Sequence, residues 1–537
     1  MDRQFSRLSD GPCSLILTMI IGKSLQWPDI VAGNCLPVKT RGSALFSVLR
    51  VAIDALREVV SSYRRVSKRI KQSPGLPVPN PTTPFWSIPA APIQKEGLSA
   101  ALPECADVVI IGSGITGTAF ARTLLDTDGS LEVVMLEARD ACSGATARNG
   151  GHITPPLYHD YLDLKKKHGA EAAKQIIQFR LSHLDELISV AEEEGLTEES
   201  QCRKVDTYDV YFDKAVFEGA KEKLGHYLEE LPSEKSGWGT TEGPAGMQLA
   251  DGVYGVISTT GGAVHPYRLV TGILSRLLKT YSSFRLYTHT PCLSIHDNIV
   301  HTPRGDIRAK HIVHATNGWT SYLLEPMREK IVPVRGHMTA QRAGTGLDDG
   351  WLGTRSFVLY PSASEDRWDY LTQQPPNPAT LGEKPHAEFM FGGGIEMGTQ
   401  SFFDAVGCAD DSQVEFRVSA YLGGALAAYF GKWWGGESVD VDDDHFERGR
   451  VKKAWSGVLG ISADGLPWVG SVPSKVSGRS EGSEWIAAGY SGEGMVHAWM
   501  SGKALAYMVL GKDVDWLPAP FRVTEKRWRK ANIASLL

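Results

Sequence analysis

Several features that would define a class of protein are missing from this 537-residue sequence. It has seven cysteines, none in a Cys-x-x-Cys pair, which argues against zinc ribbons and thioredoxin-like sites. It has no Asn-x-Ser/Thr acceptor for N-glycosylation, because Asn80 is followed by Pro81. Both absences favour free thiols in an intracellular compartment. We expect a cytoplasmic protein, with a membrane-peripheral or organellar location as the alternatives.

Long hydrophobic runs and an excess of positive charge are also missing. The apolar run at residues 15–21 is far shorter than a membrane span, and its acidic neighbours Asp2 and Asp10 are unusual flanks for a signal peptide. The formal net charge is −6, so we expect no nucleic-acid partner held by phosphate contacts. Because 42% of the residues are hydrophobic, the chain can bury a full core.

Residues 1–100 predict an N-terminal extension. Between residues 41 and 71 eight Lys/Arg and two acidic residues give a net charge of +6. Apolar residues at alternating spacings of four and three predict an amphipathic helix there; they are Leu45, Leu49, Ala52, Leu56, Val59, Tyr63 and Val66. Such a helix can make a peripheral contact with an anionic membrane, or it can pack on the body with a solvated basic face. The sequence leaves both open.

A proline-rich stretch follows the predicted helix. Residues 74–92 hold seven prolines in 19 positions, which is incompatible with a helix and typical of an extended linker. We therefore expect the catalytic body to begin near residue 100.

Glycine is abundant, at 56 of 537 residues or about 10%, against a usual share of roughly 7%. Part of the surplus follows a β-branched run at residues 107–111, in the segment Gly112-Ser-Gly114-Ile-Thr-Gly117. Gly112 permits a tight turn, Gly114 lets a pyrophosphate approach the backbone, and Gly117 lets the next helix pack on the strand.

A second predicted strand, residues 132–136, completes this pattern. It ends at Glu137, which is placed to accept hydrogen bonds from ribose hydroxyls. Strand, glycines, helix, second strand and acid in this order predict a dinucleotide site with the phosphates at the helix N-terminus.

The segment after Glu137 points to the kind of dinucleotide. Ser143-Gly-Ala-Thr-Ala-Arg-Asn-Gly-Gly151 consists mostly of small residues, which let backbone run close to a flat, bulky ring system. With this segment the chain resembles the FAD-dependent D-amino-acid oxidase superfamily, and within it most closely the γ-glutamylputrescine oxidase branch. Further similar segments follow in the family order at residues 261–267, 312–318, 455–470 and 488–495.

The resemblance implies FAD as cofactor. The cofactor-binding residues that the fingerprint and the resemblance predict are Gly112, Gly114, Ile115, Thr116, Gly117, Glu137, Ala138, Thr146, Arg148, Asn149, Gly150, Gly151, Thr316, Asn317, Gly465, Gly492, Gly494 and Met495. Sarcosine oxidases tether FAD to a cysteine some seven residues before the aspartate that matches Asp464. Here that position is Gly457, and no cysteine follows Cys408, so we expect non-covalent FAD.

The expected fold is α/β, or α+β overall, with a Rossmann-like FAD-binding domain and a substrate domain built on a mixed or antiparallel sheet. We assign residues 101–160, 246–330 and 451–537 to the FAD-binding domain and residues 161–245 and 331–450 to the substrate domain. A helix predicted from about Met495 would direct its N-terminus at the flavin.

The expected chemistry is oxidation of a C–N bond in an amine or amino-acid-type substrate to an imine, with O2 as electron acceptor and release of peroxide. No Ser-His-Asp order or metal-ligand spacing competes with it, so no metal is expected. The flavin takes the hydride, so the protein mainly orients a neutral amine and excludes water. The predicted catalytic residues are His152, His265, Arg335 and Tyr360, with His337, Tyr370 and His497 as further candidates.

Three alternatives stay open. The enzyme could be a flavin dehydrogenase that passes electrons to a quinone or protein acceptor, or a tailoring oxidase in a biosynthetic pathway. It could also be a non-catalytic flavoprotein that docks through its N-terminal helix.

Overall fold

The computed structural model of the chain describes residues 38–347, 353–363, 367–375, 388–394, 403–437, 448–480 and 482–535. The α-helices are α1 Val38–Arg69, α2 Ile115–Thr127, α3 Leu157–His168, α4 Ala170–Glu193, α5 Thr197–Ser200, α6 Lys214–Glu230, α7 Pro266–Thr280, α8 Thr320–Leu323, α9 Phe416–Phe430, α10 Ser474–Ser477, α11 Ala498–Val509 and α12 Glu525–Lys530. None of the helices in these ranges has the length and hydropathy needed to cross a bilayer.

The strands form two sheets. They are β1 Cys105–Ile111, β2 Val133–Leu136, β3 His152–Ile153, β4 Arg203–Tyr211, β5 Gly239–Glu242, β6 Gly255–Ala263, β7 Phe284–Tyr287, β8 Ser294–His296, β9 Ile299–Thr302, β10 Gly305–His314, β11 Ile331–Arg342, β12 Arg355–Tyr360, β13 Asp369–Gln373, β14 Glu388–Gly392, β15 Val451–Ser462, β16 Trp468–Ser471 and β17 Glu484–Ala488.

The first sheet has eight strands in the order β16-β17-β10-β1-β2-β7, with β9 joined to β10 and β8 to β9. Its centre is parallel, and β1 lies between β2 and β10 with every side chain of the run Val108–Ile111 buried. Continuous β-branched runs are typical of such doubly covered strands. Helix α2 connects β1 to β2 and packs on α11. This is the Rossmann-like sheet that the sequence predicts.

The second sheet has nine strands in the order β15-β11-β14-β13-β12-β4-β6-β3, with β5 on β6, and is antiparallel except between β12 and β4. Two sheets with helices around them confirm the α/β class with a mixed second sheet. The predicted domain boundaries need one correction, because β3, β6 and β15 lie in segments assigned to the FAD-binding domain but pair in the second sheet. Their partners lie far away in the sequence, so local patterns do not reveal this pairing.

The proline-rich segment lies against the body, which corrects its description as a linker. It contains two short 3-10 helices, Phe85–Ser87 and Pro92–Lys95. The Trp86 side chain is 1% exposed and belongs to the main core cluster. Its Nε1–H donates to the Asn149 carbonyl over 2.6 Å. The packed body therefore includes residues well before residue 100.

Among the side chains of helix α1 that the structure describes, those of the last turns and the residue after them join the body. Val66 and Ile70 are buried in a core cluster with Ile331 and Trp468. The Arg69 guanidinium donates to the carbonyls of Val406, over 2.6 Å, and Phe403. The helix is thus attached at one end, and its middle turns remain exposed.

Candidate active site

One cavity of about 890 Å³ is lined by residues from both sheets. One end lies at the carboxyl edge of the parallel strands β1, β2 and β10, and the other lies over the second sheet. In open α/β sheets this carboxyl edge is where ligands bind.

The glycine fingerprint forms one wall at that edge. Gly112 has φ +110°, and a Cβ added to it would lie 2.6 Å from the Ala315 carbonyl oxygen. A Cβ added to Gly117 would lie 2.1 Å from the Gly112 carbonyl oxygen. The backbone of both residues therefore comes too close to its neighbours for any other side chain, which keeps the start of α2 against the strand end.

Glu137 lies beside this wall with its carboxylate held in place. Oε2 accepts from the Ser113 hydroxyl over 2.7 Å and from the Ser113 backbone N–H over 3.2 Å. Oε1 accepts from the Arg139 backbone N–H over 3.0 Å. The carboxylate lines the cavity next to the glycine fingerprint, where an acid at the end of β2 could accept from ribose hydroxyls.

The small-residue loop forms the middle of the cavity wall. Thr146 Oγ1 accepts from the Ile115 N–H over 2.9 Å, which joins the loop to the start of α2. The Asn149 amide donates to the Thr146 carbonyl over 2.9 Å, and the Trp455 indole donates to the Arg148 carbonyl over 3.0 Å. Together with the bond from Trp86 to Asn149, hydrogen bonds from three distant parts of the chain thus fix a loop that has little side-chain bulk of its own.

A buried aspartate behind this wall was missed by the sequence analysis. Asp411 is fully buried, and its carboxylate accepts from both terminal nitrogens of Arg139, over 2.9 and 3.1 Å. Arg148 Nε lies 3.4 Å from the same carboxylate. Burial lowers the pKa of Arg148 to about 10, although Asp411 opposes the shift. The signal in the sequence is weak, because Asp411 lies far from both arginines and follows another aspartate.

The Gly492–Gly494 turn closes the opposite wall, just before α11. Glu493 Oε2 lies 3.0 Å from Arg180 Nη2, and Arg180 also donates to Asp160 over 2.9 Å and to His497 Nε2 over 3.2 Å. Burial raises the pKa of Glu493, while the Arg180 guanidinium opposes that shift. Of this network the sequence analysis found only His497.

The floor over the second sheet carries the polar groups of the substrate end. The His152 ring lies 6.1 Å from the Tyr370 ring, and burial lowers the pKa of His152 to about 4, so this imidazole is neutral near pH 7. The Tyr360 hydroxyl lies 2.9 Å from His159 Nε2. Asp209 on β4 also lines the cavity.

His159 and Asp209 were missed by the sequence analysis. In a strand every second side chain lies on the same face, so Asp209 shares a face of β4 with Thr207, which lines the cavity too. This alternation was the sequence signal that could have identified Asp209.

The cavity brings together most of the predicted residues. Those that line it are Gly112, Gly114, Ile115, Thr116, Glu137, Ala138, Thr146, Arg148, Asn149, Gly150, His152, Thr316, Asn317, His337, Tyr360, Tyr370, Gly492, Gly494 and Met495.

Two predicted catalytic residues lie elsewhere. His265 caps α7, where its Nδ1 accepts from the Arg268 N–H over 3.3 Å, and its ring packs 4.5 Å from Trp86. Arg335 lies on β11 with Nη1 3.4 Å from the Asp410 carbonyl. Both are buried behind the cavity wall, so we correct their assignment as catalytic candidates.

Three predicted cofactor contacts also lie outside the cavity lining. Gly117 and Gly151 lie behind the lining and allow close backbone packing there. A Cβ at Gly151 would lie 2.1 Å from the Val264 carbonyl oxygen, as a Cβ at Gly117 would from that of Gly112. Gly465, with φ +80°, occupies the turn before β16, where the neighbouring Asp464 pairs with Arg527 over 2.8 Å. That turn belongs to the C-terminal packing, so the prediction for Gly465 is corrected.

These residues fit an FAD molecule. The wall offers close backbone approach at Gly112, a fixed carboxylate at Glu137 and the open start of α2. No protein atom among the described residues lies within 4 Å of a Cβ built on Gly492 or Gly494, so the far wall leaves room for a planar ring. A cavity with a dinucleotide fingerprint at one end and a floor of apolar, aromatic and a few polar side chains at the other is one that such a cofactor and a small substrate could share.

Comparison with known proteins agrees with this fit. The model of the family described as "DAO: FAD dependent oxidoreductase" matches residues 107–508. The probable oxidoreductase OrdL of Rhizobium meliloti (strain 1021) is 22% identical over 457 residues, which cover 81% of this chain and 91% of the relative. Glycine oxidase of Pseudomonas aeruginosa is 24% identical over 426 residues, or 77% of this chain and 97% of the relative.

Two further proteins are similar to this chain, one over only part of its length and the other at low sequence identity. γ-Glutamylputrescine oxidoreductase of Escherichia coli (strain K12) is 24% identical, but over 229 residues that cover 41% of this chain and 51% of the relative. The crystal structure of L-proline dehydrogenase from P. horikoshii superposes with a TM-score of 0.57 at 15% identity, covering 78% of this chain and 97% of that one. At that identity the superposition shows a shared fold.

Proposed function

The chain belongs to the FAD-dependent oxidoreductase (DAO) family, and we propose that it oxidises a C–N bond of an amine or amino-acid-type substrate to an imine. The observation that carries the proposal is the single cavity that runs from the fingerprint at Gly112 to the floor at His152 and Asp209. The similarity to a glycine oxidase over nearly its whole length supports this substrate class.

FAD, when bound, would supply the chemistry by accepting a hydride from the carbon next to nitrogen. The residues of the chain then have to bind, orient and desolvate the substrate. The neutral ring of His152 and the hydroxyl of Tyr360 would line the substrate end without adding a positive charge that repels an amine. The start of α11, with Gly492 and Gly494 before it, would place backbone N–H groups beside the ring system.

We propose that FAD is held without a covalent bond. Gly457 lines the cavity, where the sarcosine oxidase pattern has its cysteine. Among the described cysteines only Cys292 lines the cavity, and burial raises the pKa of its thiol to about 12. A thiol with that pKa is a poor nucleophile. Denaturation in acid should therefore release all of the FAD into the supernatant.

The test of the main proposal is anaerobic reduction. The purified protein should be yellow, and its visible flavin band should bleach when the right amine is added without O2. Admission of air should restore the band and yield about one peroxide per amine oxidised. A colourless protein, or bound FAD that no amine or amino acid bleaches, would rule the proposal out.

A second candidate function is a dehydrogenase that passes electrons to a quinone or protein acceptor, and helix α1 favours it. The middle of this helix exposes an apolar stripe, namely Ile53, Leu56, Val60 and Tyr63. Arg57, Arg64 and Lys68 flank the stripe. An exposed apolar stripe beside basic residues complements an anionic membrane surface, where quinones dissolve. Reduction of a quinone analogue that is faster than peroxide release would favour this candidate over the oxidase.

The finer placement in the γ-glutamylputrescine oxidase branch is also a proposal. It rests on the Ser143–Gly151 motif and on a match to half of one such enzyme. Bleaching of the flavin by γ-glutamylputrescine more rapidly than by glycine or sarcosine would support it. A tailoring role on a biosynthetic intermediate would appear as reduction by none of these three.

A further inference from the structure

A carboxylate lies in the middle of the cavity floor, on a row of residues that crosses four strands. In register these are Tyr370 on β13, Val358 on β12, Asp209 on β4 and Ile257 on β6. All four line the cavity. Apart from Asp209 the row is apolar or aromatic, so a carboxylate side chain there needs a reason.

Only one of the two oxygens of the Asp209 carboxylate accepts a hydrogen bond from the described residues. Its Oδ2 accepts from the Tyr158 hydroxyl over 2.6 Å and lies 3.5 Å from His159 Nε2. Its Oδ1 receives no hydrogen bond from the residues that the structure describes. The side chain is 13% exposed, and this exposure is toward the cavity that it lines. One oxygen is therefore held in place while the other faces the space where a substrate would lie.

The surroundings of Asp209 favour a positive charge. Within 4.0 Å of its carboxylate the described part of the chain places no Lys or Arg. The two other carboxylates on that side, Asp160 and Glu493, share the single guanidinium of Arg180. Arg367 also lines this end, so among the described residues the three carboxylates of Asp209, Asp160 and Glu493 stand against two guanidiniums.

Aromatic side chains enclose the same spot. Trp238 packs edge-on against Tyr158 at 5.3 Å between ring centroids, and Tyr360 and Trp238 both line the cavity. Faces of Tyr and Trp rings attract cations, and a carboxylate among them strengthens that attraction.

Asp209 also lies apart from the cofactor wall. The Tyr370 ring abuts the small-residue loop, since a Cβ added to Gly150 would lie 2.5 Å from it. Asp209 is two strands farther along the floor, which corresponds to roughly 10 Å at about 4.8 Å per strand. A group bound at Asp209 is therefore not the C–N bond being oxidised but another part of the same substrate.

We propose that Asp209, enclosed by Tyr158, Tyr360 and Trp238, forms a subsite for a second cationic group of the substrate. This inference rests on the proposed amine oxidation and narrows its substrate class to amines that carry a distal positive charge, such as α,ω-diamines or derivatives of basic amino acids. The neutral amine is oxidised at the flavin end while the distal ammonium is held on Asp209.

The test compares four five-carbon amines that differ only in the tail: pentylamine, 5-aminopentanol, 5-aminopentanoate and 1,5-diaminopentane. Their binding to the oxidised holoprotein is measured by calorimetry and by the change in the visible flavin spectrum, so no turnover is needed. We expect the diamine to bind at least ten-fold more tightly than pentylamine, and the aminopentanoate to bind most weakly.

Two matched variants locate the effect. Asp209→Asn keeps the size and one acceptor oxygen but removes the charge, so the ten-fold advantage should shrink to less than three-fold. Asp206→Asn removes the same charge from an exposed position on the opposite face of β4, and the advantage should remain. We record the FAD content and Tm of both variants. If Asp209→Asn does not fold, the order in which the unaltered protein binds the four amines tests the cationic subsite by itself.

The possible failures are separable. A preference for the anionic tail, no preference among tails, or an advantage that survives Asp209→Asn would overturn the subsite while leaving the amine oxidase proposal intact. Bound FAD that no amine bleaches would overturn the oxidase proposal even if the diamine binds most tightly.

Discussion

At the residue scale, the cavity wall depends on two kinds of position. At some the backbone leaves no room for any side chain larger than that of glycine, and at others a buried carboxylate must keep its charge. Gly117 lies on α2, and a Cβ there would meet backbone, the Gly112 carbonyl oxygen, at 2.1 Å. Backbone cannot rotate away as a flexible side chain can, so α2 would have to move off β1. The helix start that faces the phosphates would move with it.

We therefore expect Gly117→Ala to lose at least nine-tenths of its bound FAD, measured as the ratio of absorbance at 450 nm to that at 280 nm. Gly219→Ala is the matched control, because this glycine also lies inside a helix but has no atom within 4 Å of its added Cβ. The control should keep its FAD and gain up to about 1 kcal/mol of stability. Full FAD occupancy in Gly117→Ala would contradict the close packing described here.

Asp411 is a second position of this kind. It is the carboxylate that Arg139 and Arg148 share, and all three side chains are buried. Its removal leaves two guanidiniums without their counter-charge.

We expect Asp411→Asn to lower the free energy of unfolding by about 3 kcal/mol. Urea unfolding followed by tryptophan fluorescence measures this. Asp213→Asn is the control, since Asn still caps α6 in place of Asp213 and this half-buried carboxylate pairs with no guanidinium among the described residues, and a change below about 0.5 kcal/mol is expected. An equal loss of unfolding free energy in the two variants would show that the carboxylate shared by Arg139 and Arg148 contributes no more to stability than the one at the helix cap.

At the element scale, helix α1 is unusual because the described side chains of its middle turns are mostly exposed while those of its last turns are packed. Val66 and Ile70 are buried, whereas Leu56, three residues after Ile53 in the apolar stripe, is 57% exposed. An exposed leucine on a helix with a net positive charge is explained if that face meets a lipid surface. A second copy of the chain fits less well, because the basic flank would repel its own copy.

The prediction at this scale is that the protein sediments with vesicles containing 30% phosphatidylserine and not with vesicles of phosphatidylcholine alone. Leu56→Glu should reduce the bound fraction at least five-fold, because it places a charge in the apolar stripe. Ser61→Glu adds the same charge outside the stripe and should have less than a two-fold effect. Equal binding to both vesicle types, or a dimer in solution that Leu56→Glu dissolves, would refute the lipid contact.

At the scale of the whole molecule, the core contains several neutral histidines. Burial lowers the pKa of five of them, to about 4 in His152, His183 and His337 and well below its usual value in His265 and His497. In the unfolded chain a histidine titrates near about 6.5. Between these values the unfolded state binds more protons than the folded state, so stability falls as the pH falls from 6.5 toward 4.

We accordingly expect the Tm to be nearly constant from pH 8 to 7 and to fall steadily between pH 6.5 and 5, above the range in which carboxylates of ordinary pKa protonate. Glu493, whose pKa is raised, takes up a proton more readily in the folded state and offsets part of that fall. Differential scanning fluorimetry at constant ionic strength measures it. His183→Gln, which keeps an acceptor for the Met500 N–H and a donor for the Phe179 carbonyl, should lower the Tm at pH 7 but flatten its acid slope. A Tm that does not change between pH 7 and 5 would be inconsistent with these neutral histidines.

The sequence by itself determined the parts of this protein that depend on neighbouring residues. The β1–α2–β2 unit, the glycines at 112, 114 and 117 and the acid at 137 were predicted because turn geometry and helix starts are encoded within about 30 residues. The same holds for α11 and for the period of α1.

Only the tertiary structure decided what lies across the cavity from that unit. Asp209 lies beside Val358 on the cavity floor because β4 pairs with β12, some 150 residues later, and Asp411 meets Arg139 across 272 residues. His265 became a helix cap and Trp86 a core residue for the same reason. Strand pairing and side-chain packing depend on how well segments that lie far apart in the sequence match one another in shape and hydrogen bonding. The sequence of one segment alone therefore does not determine them.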